Sequence, residues 1–315
     1  MGYQPRSIVR RLCRERGQVD LDHSSPPETS LRDYPEVIFQ VIRRTLSDVI
    51  TLATLTYLLA IFEPPEKLFL SGKAISILGI AVAIFIGFRN TQAIDRWWEA
   101  RKLWGELVNA SRLWKDSLIT YLDEETLKRQ GRLLLISQAS LMWALNFELR
   151  NFAQIEDLRL FQNLLHAGEL PKSDSTTRLI AENMMRRVNS LHRQGKLDDW
   201  GRNQMVHNSS LVTTSIGGLQ RIRNTPIPPP YDVFVRVLSW VFGTQLILAF
   251  KSDGSILTGT LLTAGFIFAE RIGSYIEGPF DKDGSTFSIR QNEICSLITK
   301  ELTTIEATSQ QSNDL

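Results

Sequence analysis

The stretch AISILGIAVAIFIGFRNTQAIDRWW, residues 74–98, passes from an apolar run into charged residues without a helix break. Its first fifteen residues carry no charge, and the apolar run ends at Phe88. Arg89, Asp95 and Arg96 follow, and neither proline nor glycine occurs between Phe88 and Gly105. Because proline and glycine are the residues that most often end a helix, the stretch predicts one long helix that begins apolar and continues charged.

The composition favours a membrane protein with a large aqueous part over a nucleic-acid-binding protein. The chain has 315 residues, of which 43% are hydrophobic and 22% are charged, and its formal net charge is +2. These values are near globular averages, but the apolar residues are collected in runs. So small a net charge gives no electrostatic footprint for nucleic acid. Cys13 and Cys295 lie near opposite ends without metal-ligand spacing, so we expect two reduced thiols and no metal or other cofactor.

Four apolar runs are candidates for membrane-spanning helices. They are VITLATLTYLLAIF at 49–62, AISILGIAVAIFIGF at 74–88, VFVRVLSWVFGTQLILAF at 233–250 and SILTGTLLTAGFIFA at 255–269. A bilayer span needs about 20 residues, so each run must extend into its polar flanks. Polar residues are tolerated at membrane depth where they face protein or water. The runs are therefore either buried core helices of a soluble protein or spans that line a wet path.

The connections between the runs favour two antiparallel membrane hairpins. The first two runs are joined by residues 63–73, and the last two by residues 251–254 only. Two hairpins leave both termini and the segment 89–232 on one side, and arginine is concentrated there. The positive-inside rule places that side in the cytoplasm. The apolar segment at 133–147 carries polar residues and would break this parity as a fifth span, so we interpret it as a buried cytoplasmic helix.

This topology divides the chain into five parts and predicts an all-α protein. The parts are a cytosolic N-terminal segment at 1–34, transmembrane helices 1 and 2 with a cytosolic extension at 35–110, a helical cytosolic domain at 111–230, transmembrane helices 3 and 4 at 231–275, and a cytosolic C-terminal segment at 276–315. NTPIPPP, 224–230, is a break because its four prolines disfavour helix. The sequence contains no alternating strand pattern and no P-loop or HExxH motif, so we do not expect an enzyme.

Two stripes of residues lie along the predicted long helix. The first alternates spacings of four and three and predicts a packing seam. Its members are Ala93, Trp97, Ala100, Trp104, Leu107, Ser111, Trp114 and Leu118. The second stripe is Ile80, Ile84 and Phe88, which stand four residues apart and share one face. This apolar stripe either packs into a core, or repeats around the axis of a symmetric oligomer as a hydrophobic constriction that gates ions by dewetting.

The order of these features resembles the bestrophin family of ion channels, and its bacterial branch most closely. The segments that carry the resemblance are SILGIAVAIFIGFRN at 76–90, RWWEARKLWGEL at 96–107, RIRNTPIPPPY at 221–231 and AERIGSYIEGPF at 269–280. The resemblance implies a homopentamer with one central pore, in which each subunit contributes four transmembrane helices and a helical cytosolic part. It implies an apolar neck formed by Ile80, Ile84 and Phe88. It also implies a second, cytosolic aperture in the helix before the NTP-x-P turn, at Trp200.

The resemblance and the charges near Phe88 point in different directions on ion preference. The resemblance slightly favours anions such as chloride, and Arg89 beside Phe88 is the candidate pore-mouth residue that would concentrate them. Asp95 and Glu99 lie two and three turns further on and oppose it. The alternatives are a cation-selective channel of the same fold and a membrane-anchored scaffold or signalling protein. The expected partners are other subunits, membrane lipids and small inorganic ions, in a bacterial inner membrane with both termini cytoplasmic.

Calcium activation is not expected from the sequence. Animal bestrophins follow the Pro-Phe element with a dense acidic run that helps to bind calcium. Here the corresponding segment is FDKDGSTFSI, 280–289, which offers only Asp281 and Asp283. As an EF-hand loop it also fails, because Thr286 takes the place of the turn glycine and Asn292 that of the bidentate glutamate. We interpret DKDG, 281–284, as a plain turn.

Overall fold

The computed structural model describes residues 34–62, 65, 68–150, 155–170, 176–280 and 287–304. All of its regular structure is helical. The helices are α1 (Tyr34–Ile61), α2 (Gly72–Tyr121), α3 (Glu124–Thr126), a π-helical turn (Leu127–Gly131), α4 (Arg132–Arg150), α5 (Ile155–Ala167), α6 (Thr177–Arg193), α7 (Asp199–Asn224), α8 (Pro229–Ser252), α9 (Ile256–Ile276) and α10 (Gln291–Thr303). The predicted all-α class is confirmed. Cys13 and the predicted turn DKDG lie outside the described residues.

The chain divides into two compact units, Met1–Arg44 and Thr45–Leu315. In the first unit the described residues, 34–44, are helical. The second unit contains the rest of α1 and every other helix. All contacts described below lie within the second unit.

Helix α2 is the single rod that the opening stretch predicts. The side chain of Ser71 caps its first turn by accepting a hydrogen bond from the main-chain N–H of Ala74. The helix then continues for 50 residues, about 75 Å at 1.5 Å per residue. It ends at Tyr121. The side chain of Asp123 caps the next helix by accepting a hydrogen bond from the main-chain N–H of Thr126. A rod of this length can cross a bilayer and extend well beyond it.

Three of the described helices, α2, α8 and α9, are long and apolar enough to cross a membrane. The remaining predicted span coincides with a shorter apolar segment, Thr45–Ile61, within α1. Helices α8 and α9 form a tight hairpin, and Gly254 in the connection has a positive φ of 74° that favours glycine. The two helices approach closely, because the Thr263 hydroxyl donates to the carbonyl oxygen of Gly243 at 3.0 Å.

The core of the structure gathers around the far half of α2. Seven members of the predicted seam are buried, and Trp97 is half-buried. Trp104, Leu107 and Trp114 belong to one cluster with buried residues of α4, α6, α7 and α10. Helix α4, which contains the apolar segment 133–147, is buried along nearly its whole length. That segment is therefore a core helix, and among the described residues it does not meet the criteria for a membrane span.

The proline-rich break is shorter than the sequence predicts. Helix α7 ends at Asn224, and α8 already begins at Pro229. Pro229 and Pro230 therefore lie in the first turn of a helix. Main-chain N–H groups in the first turn have no intrahelical acceptor, so proline costs no hydrogen bond there. The prediction that all four prolines exclude helix was wrong for these two.

Candidate functional site

The apolar stripe on α2 is exposed along the whole of its length. Ile80, Ile84 and Phe88 are 63%, 50% and 61% exposed, and Ile77, one turn earlier, is also exposed. On the opposite face of the same helix, Val82 and Ile86 are buried in a cluster with residues of α8. The second unit therefore uses one face of this span for its own packing and leaves the other uncovered.

The small residues beside the stripe have different surroundings. A Cβ added at Gly79 would meet the ring of Phe242 on α8 at 3.0 Å, so this glycine allows the two helices to approach closely. A Cβ added at Gly87 would meet nothing within 4 Å. The stripe consequently lies between a packed side and an open side of α2.

Arg89 is fully buried, although its neighbour Phe88 is exposed. Its Nη1 donates to the main-chain oxygen of Glu270 at 2.8 Å and to the Glu270 carboxylate at 3.1 Å. Its Nη2 donates to Asp232 and lies 3.9 Å from Glu277. Adjacent residues in a helix point about 100° apart, so Arg89 faces the α8–α9 hairpin while Phe88 faces away from it. The prediction of Arg89 as a wetted pore-mouth residue was wrong.

The ion pairs around Arg89 extend across four helices. Arg271 makes a bidentate pair with Asp48 of α1, with distances of 2.6 and 2.5 Å, and lies 3.6 Å from Glu270. Arg236 lies 3.7 Å from Asp232 and 3.9 Å from Glu270. We call this set of three arginines and four carboxylates the ionic cluster. Its members are Arg89, Arg236, Arg271, Asp48, Asp232, Glu270 and Glu277.

The ionic cluster was missed by the sequence interpretation. The signal for it is that Glu270 and Arg271 directly follow the last apolar run, and that Asp232 and Arg236 stand four residues apart at the start of the third. Charges at such positions are costly unless they are paired. The carboxylates that pair with Arg89 lie 143 residues or more away from it in the sequence. The pairing therefore becomes visible only in the folded structure.

The residues after Arg89 also anchor α2 to its neighbours. The side-chain amide of Asn90 donates to the main-chain oxygen of Ala269 at 3.0 Å. Arg96 donates to the main-chain oxygens of Ile222 and Thr225, at the end of α7. The indole N–H of Trp97 donates to the carbonyl of Phe287. Residues 90–97 of α2 therefore contact three other parts of the chain. Further along α2, Trp104 continues the seam in the core.

Trp200 lies in the first turn of α7 and is 78% exposed. The turn is capped by Asp198, whose carboxylate accepts a hydrogen bond from the main-chain N–H of Gly201 at 2.7 Å. Gly201 permits close packing on Tyr121, because an added Cβ would come within 2.9 Å of that side chain. A large aromatic side chain is thus presented outwards from a firmly held helix end.

The described residues contain no group of three or more His, Cys, Asp or Glu side chains placed to hold a metal ion. A family model described as bacterial/fungal bestrophin protein matches residues 29–304. The chain belongs to the bacterial and fungal bestrophin family. The resemblance inferred from the sequence is thereby confirmed, and with it the assignment to membrane proteins.

This bestrophin has relatives among proteins named voltage-dependent anion channel-forming proteins. One from Ralstonia nicotianae is 29% identical over 234 residues, which covers 71% of this chain and 74% of the relative. YneE of Escherichia coli strain K12 is 29% identical over 231 residues, covering 72% and 74%. The crystal structure of a bacterial bestrophin homologue from Klebsiella pneumoniae matches with a TM-score of 0.67 at 24% identity, covering 85% of this chain and 97% of that one. The last likeness shows a shared fold.

Proposed function

We propose that this bestrophin is a homopentameric channel of the bacterial inner membrane that conducts small monovalent ions, with chloride and other anions favoured. The observation that carries the proposal is the exposed apolar stripe of Ile80, Ile84 and Phe88 on a helix long enough to span the bilayer. The names of the relatives, voltage-dependent anion channel-forming proteins, support the anion preference.

The stripe acquires a function when the subunit is repeated around an axis. Each of the three side chains then forms a ring, and three successive apolar rings make a neck. Neighbouring rings are separated by four residues of helix, about 6 Å each. Water leaves a sufficiently narrow apolar constriction, and an ion cannot pass without its hydration. The neck would therefore act as a gate that opens by widening.

The ionic cluster gives this neck a fixed support. Because Arg89 is bonded to α8 and α9, the end of the neck at Phe88 cannot rotate without breaking buried ion pairs. A change in the width of the neck is then expected to involve a movement of the α8–α9 hairpin as well as of α2. Trp200 would form the second constriction, on the cytosolic side, as an aromatic ring at the start of α7.

The orientation proposed here has both termini in the cytoplasm, following the concentration of arginine on that side. The surfaces of α2, α8 and α9 that remain exposed in the subunit would contact lipid or neighbouring subunits. No enzymatic step is required for this function.

Purified protein tests the proposal directly. Native mass spectrometry in detergent is expected to give five copies per particle, and bilayer recordings under a KCl gradient are expected to give currents. A reversal potential on the side of the chloride equilibrium potential supports anion conduction, and one on the potassium side overturns that part. A monomer without current would overturn the channel and favour a membrane-anchored scaffold.

A further inference from the structure

The face of α2 that carries the apolar stripe remains exposed beyond Phe88. At helical spacing the same face continues through Thr91, Asp95, Trp98 and Lys102, and all four side chains are exposed. Asp95 is the first charged residue on this face after Phe88. It follows Phe88 by seven residues, two helical turns or about 10 Å along the axis.

The other three charged residues between Phe88 and Ala100 are already engaged. Arg89 is buried among carboxylates, and Glu99 forms an ion pair with Arg221. Arg96 donates to two carbonyl oxygens at the end of α7. The Asp95 carboxylate, in contrast, makes no hydrogen bond or ion pair with any residue in the described part of the chain. Its charge is therefore available to passing ions.

We infer that Asp95 is a specificity-determining residue two helical turns beyond the inner end of the neck, an inference that rests on the proposed pentameric channel. Repeated around the axis, it forms a ring of carboxylates that draws cations towards the neck and so limits the anion preference proposed above. Rings of Asp or Glu are a recurrent means of favouring cations in channels. Arg89 cannot offset this ring at the mouth, because its charge is neutralised within the protein.

Lys102 carries the opposite charge on the same face, but two further turns away. Its distance from the neck along the helix is about twice that of Asp95. Charges in water are screened over about 10 Å at 0.1 M salt, so the nearer ring acts on an ion at the neck and the farther one acts much less. Because Asp95 lies nearer to the neck than Lys102, the negative charge has the larger effect on an ion at the neck.

The test compares Asp95→Asn with the double variant Glu99→Gln/Arg221→Gln, which removes both charges of an ion pair one turn further along the helix. Both proteins are reconstituted, and the reversal potential is measured under a KCl gradient. Asp95→Asn is expected to raise the chloride-to-potassium permeability ratio several-fold, and Asp95→Lys to raise it further. The double variant removes no net charge and is expected to leave the ratio unchanged. The effect should weaken as the salt concentration is raised on both sides.

The outcomes separate the inference from the proposed function. Wild-type currents together with an unchanged reversal potential in Asp95→Asn and Asp95→Lys would overturn the role of Asp95 and leave the channel intact. A wild-type protein that conducts no ions would overturn the channel itself. Size-exclusion elution at the wild-type volume shows that the variants assemble, as expected for an exposed side chain that has no polar partner among the described residues.

Discussion

Phe88 and Arg89 are neighbours in sequence but face opposite environments. The phenyl ring is exposed at the end of the apolar stripe, and the guanidinium group is buried against Asp232 and Glu270. The rotation of one helical residue is sufficient to separate them. The direction in which Phe88 points is therefore fixed by the ion pairs of the residue beside it, and we expect a change in the ionic cluster to alter the orientation of this proposed neck residue.

Arg89→Ala is expected to destabilise the protein strongly. Removal of the guanidinium leaves Glu270 buried with one partner fewer and Asp232 without its buried cation. Breaking a buried ion pair by removal of one partner costs about 3–5 kcal/mol. The measurement is the thermal unfolding midpoint in detergent, with Arg101→Ala, at an exposed position of the same helix, as the control. Equal midpoints for the two variants would show that the ionic cluster does not stabilise the fold.

The helices could be predicted from the sequence because their signals are local. The uninterrupted stretch after Phe88 predicts the 50-residue α2, and the alternating four-and-three spacing identifies the seam that the structure buries. The one local error concerns Pro229 and Pro230, which were assigned to the break. Proline disfavours a helix interior but is accepted in the first turn, so its presence alone does not give the boundary.

The ionic cluster could not be predicted because its signals are not local. A charge directly after an apolar run is ordinarily found in water, and that expectation placed Arg89 at the pore mouth. The carboxylates that neutralise it are 143 and 181 residues further along the chain. Spacing within α2 shows that Phe88 and Arg89 face different directions, but only the packing of α8 and α9 determines which of the two directions is buried.

Alanine at all three neck positions is expected to raise single-channel conductance. Replacing Ile80, Ile84 and Phe88 by alanine widens each ring and lowers the barrier created by dewetting. The loss of stability should be small, since these side chains are exposed in the subunit. Leu261→Ala, at an exposed apolar position of α9, is the control for a general effect of removing surface hydrophobic groups. A conductance equal to wild type in the triple variant would refute the assignment of the neck.

Trp200→Ala is expected to increase conductance without lowering the unfolding midpoint. The indole is 78% exposed, so its removal costs little packing. Trp143→Ala gives the contrast, because that indole is buried and its N–H donates to Thr299. Removal of a buried aromatic side chain costs about 3–5 kcal/mol. If Trp200→Ala lowered the midpoint as much as Trp143→Ala, the side chain would have a structural role and not line an aperture.

Two glycines of α9 are expected to respond differently to alanine. At Gly259 an added Cβ would lie 2.9 Å from the Cα of Ile247 and 3.0 Å from the carbonyl oxygen of Leu246, both backbone atoms of α8. The helices would have to separate, at a cost of about 1–3 kcal/mol. At Gly265 nothing lies within 4 Å. Gly259→Ala should therefore lower the unfolding midpoint, and Gly265→Ala should leave it unchanged or raise it. Equal effects would show that the hairpin can relax at Gly259.

Glu301 is expected to contribute to stability in a pH-dependent way. The contribution can be measured by comparing the unfolding midpoints of the wild type and Glu301→Gln. Its carboxylate accepts hydrogen bonds from Nε and Nη2 of Arg112 at 2.8 and 2.7 Å. These bonds lower the pKa of Glu301, and the charges of Arg112 and Lys115 lower it further, while partial burial opposes the shift. The carboxyl group thus ionises more readily in the folded protein than in the unfolded chain.

The sign of the pH dependence follows from this lowered pKa. The contribution is complete above the unfolded pKa, about 4.3, and is lost as the pH falls through the lower folded value. Because Arg112 is about half exposed, we expect no more than about 1 kcal/mol at pH 7. The difference in unfolding midpoint between wild type and Glu301→Gln should therefore be constant from pH 8 to pH 5, shrink below about pH 4 and decrease in high salt. A difference that grew on acidification would contradict the role of the Arg112 bond, since that bond stabilises only the ionised carboxylate.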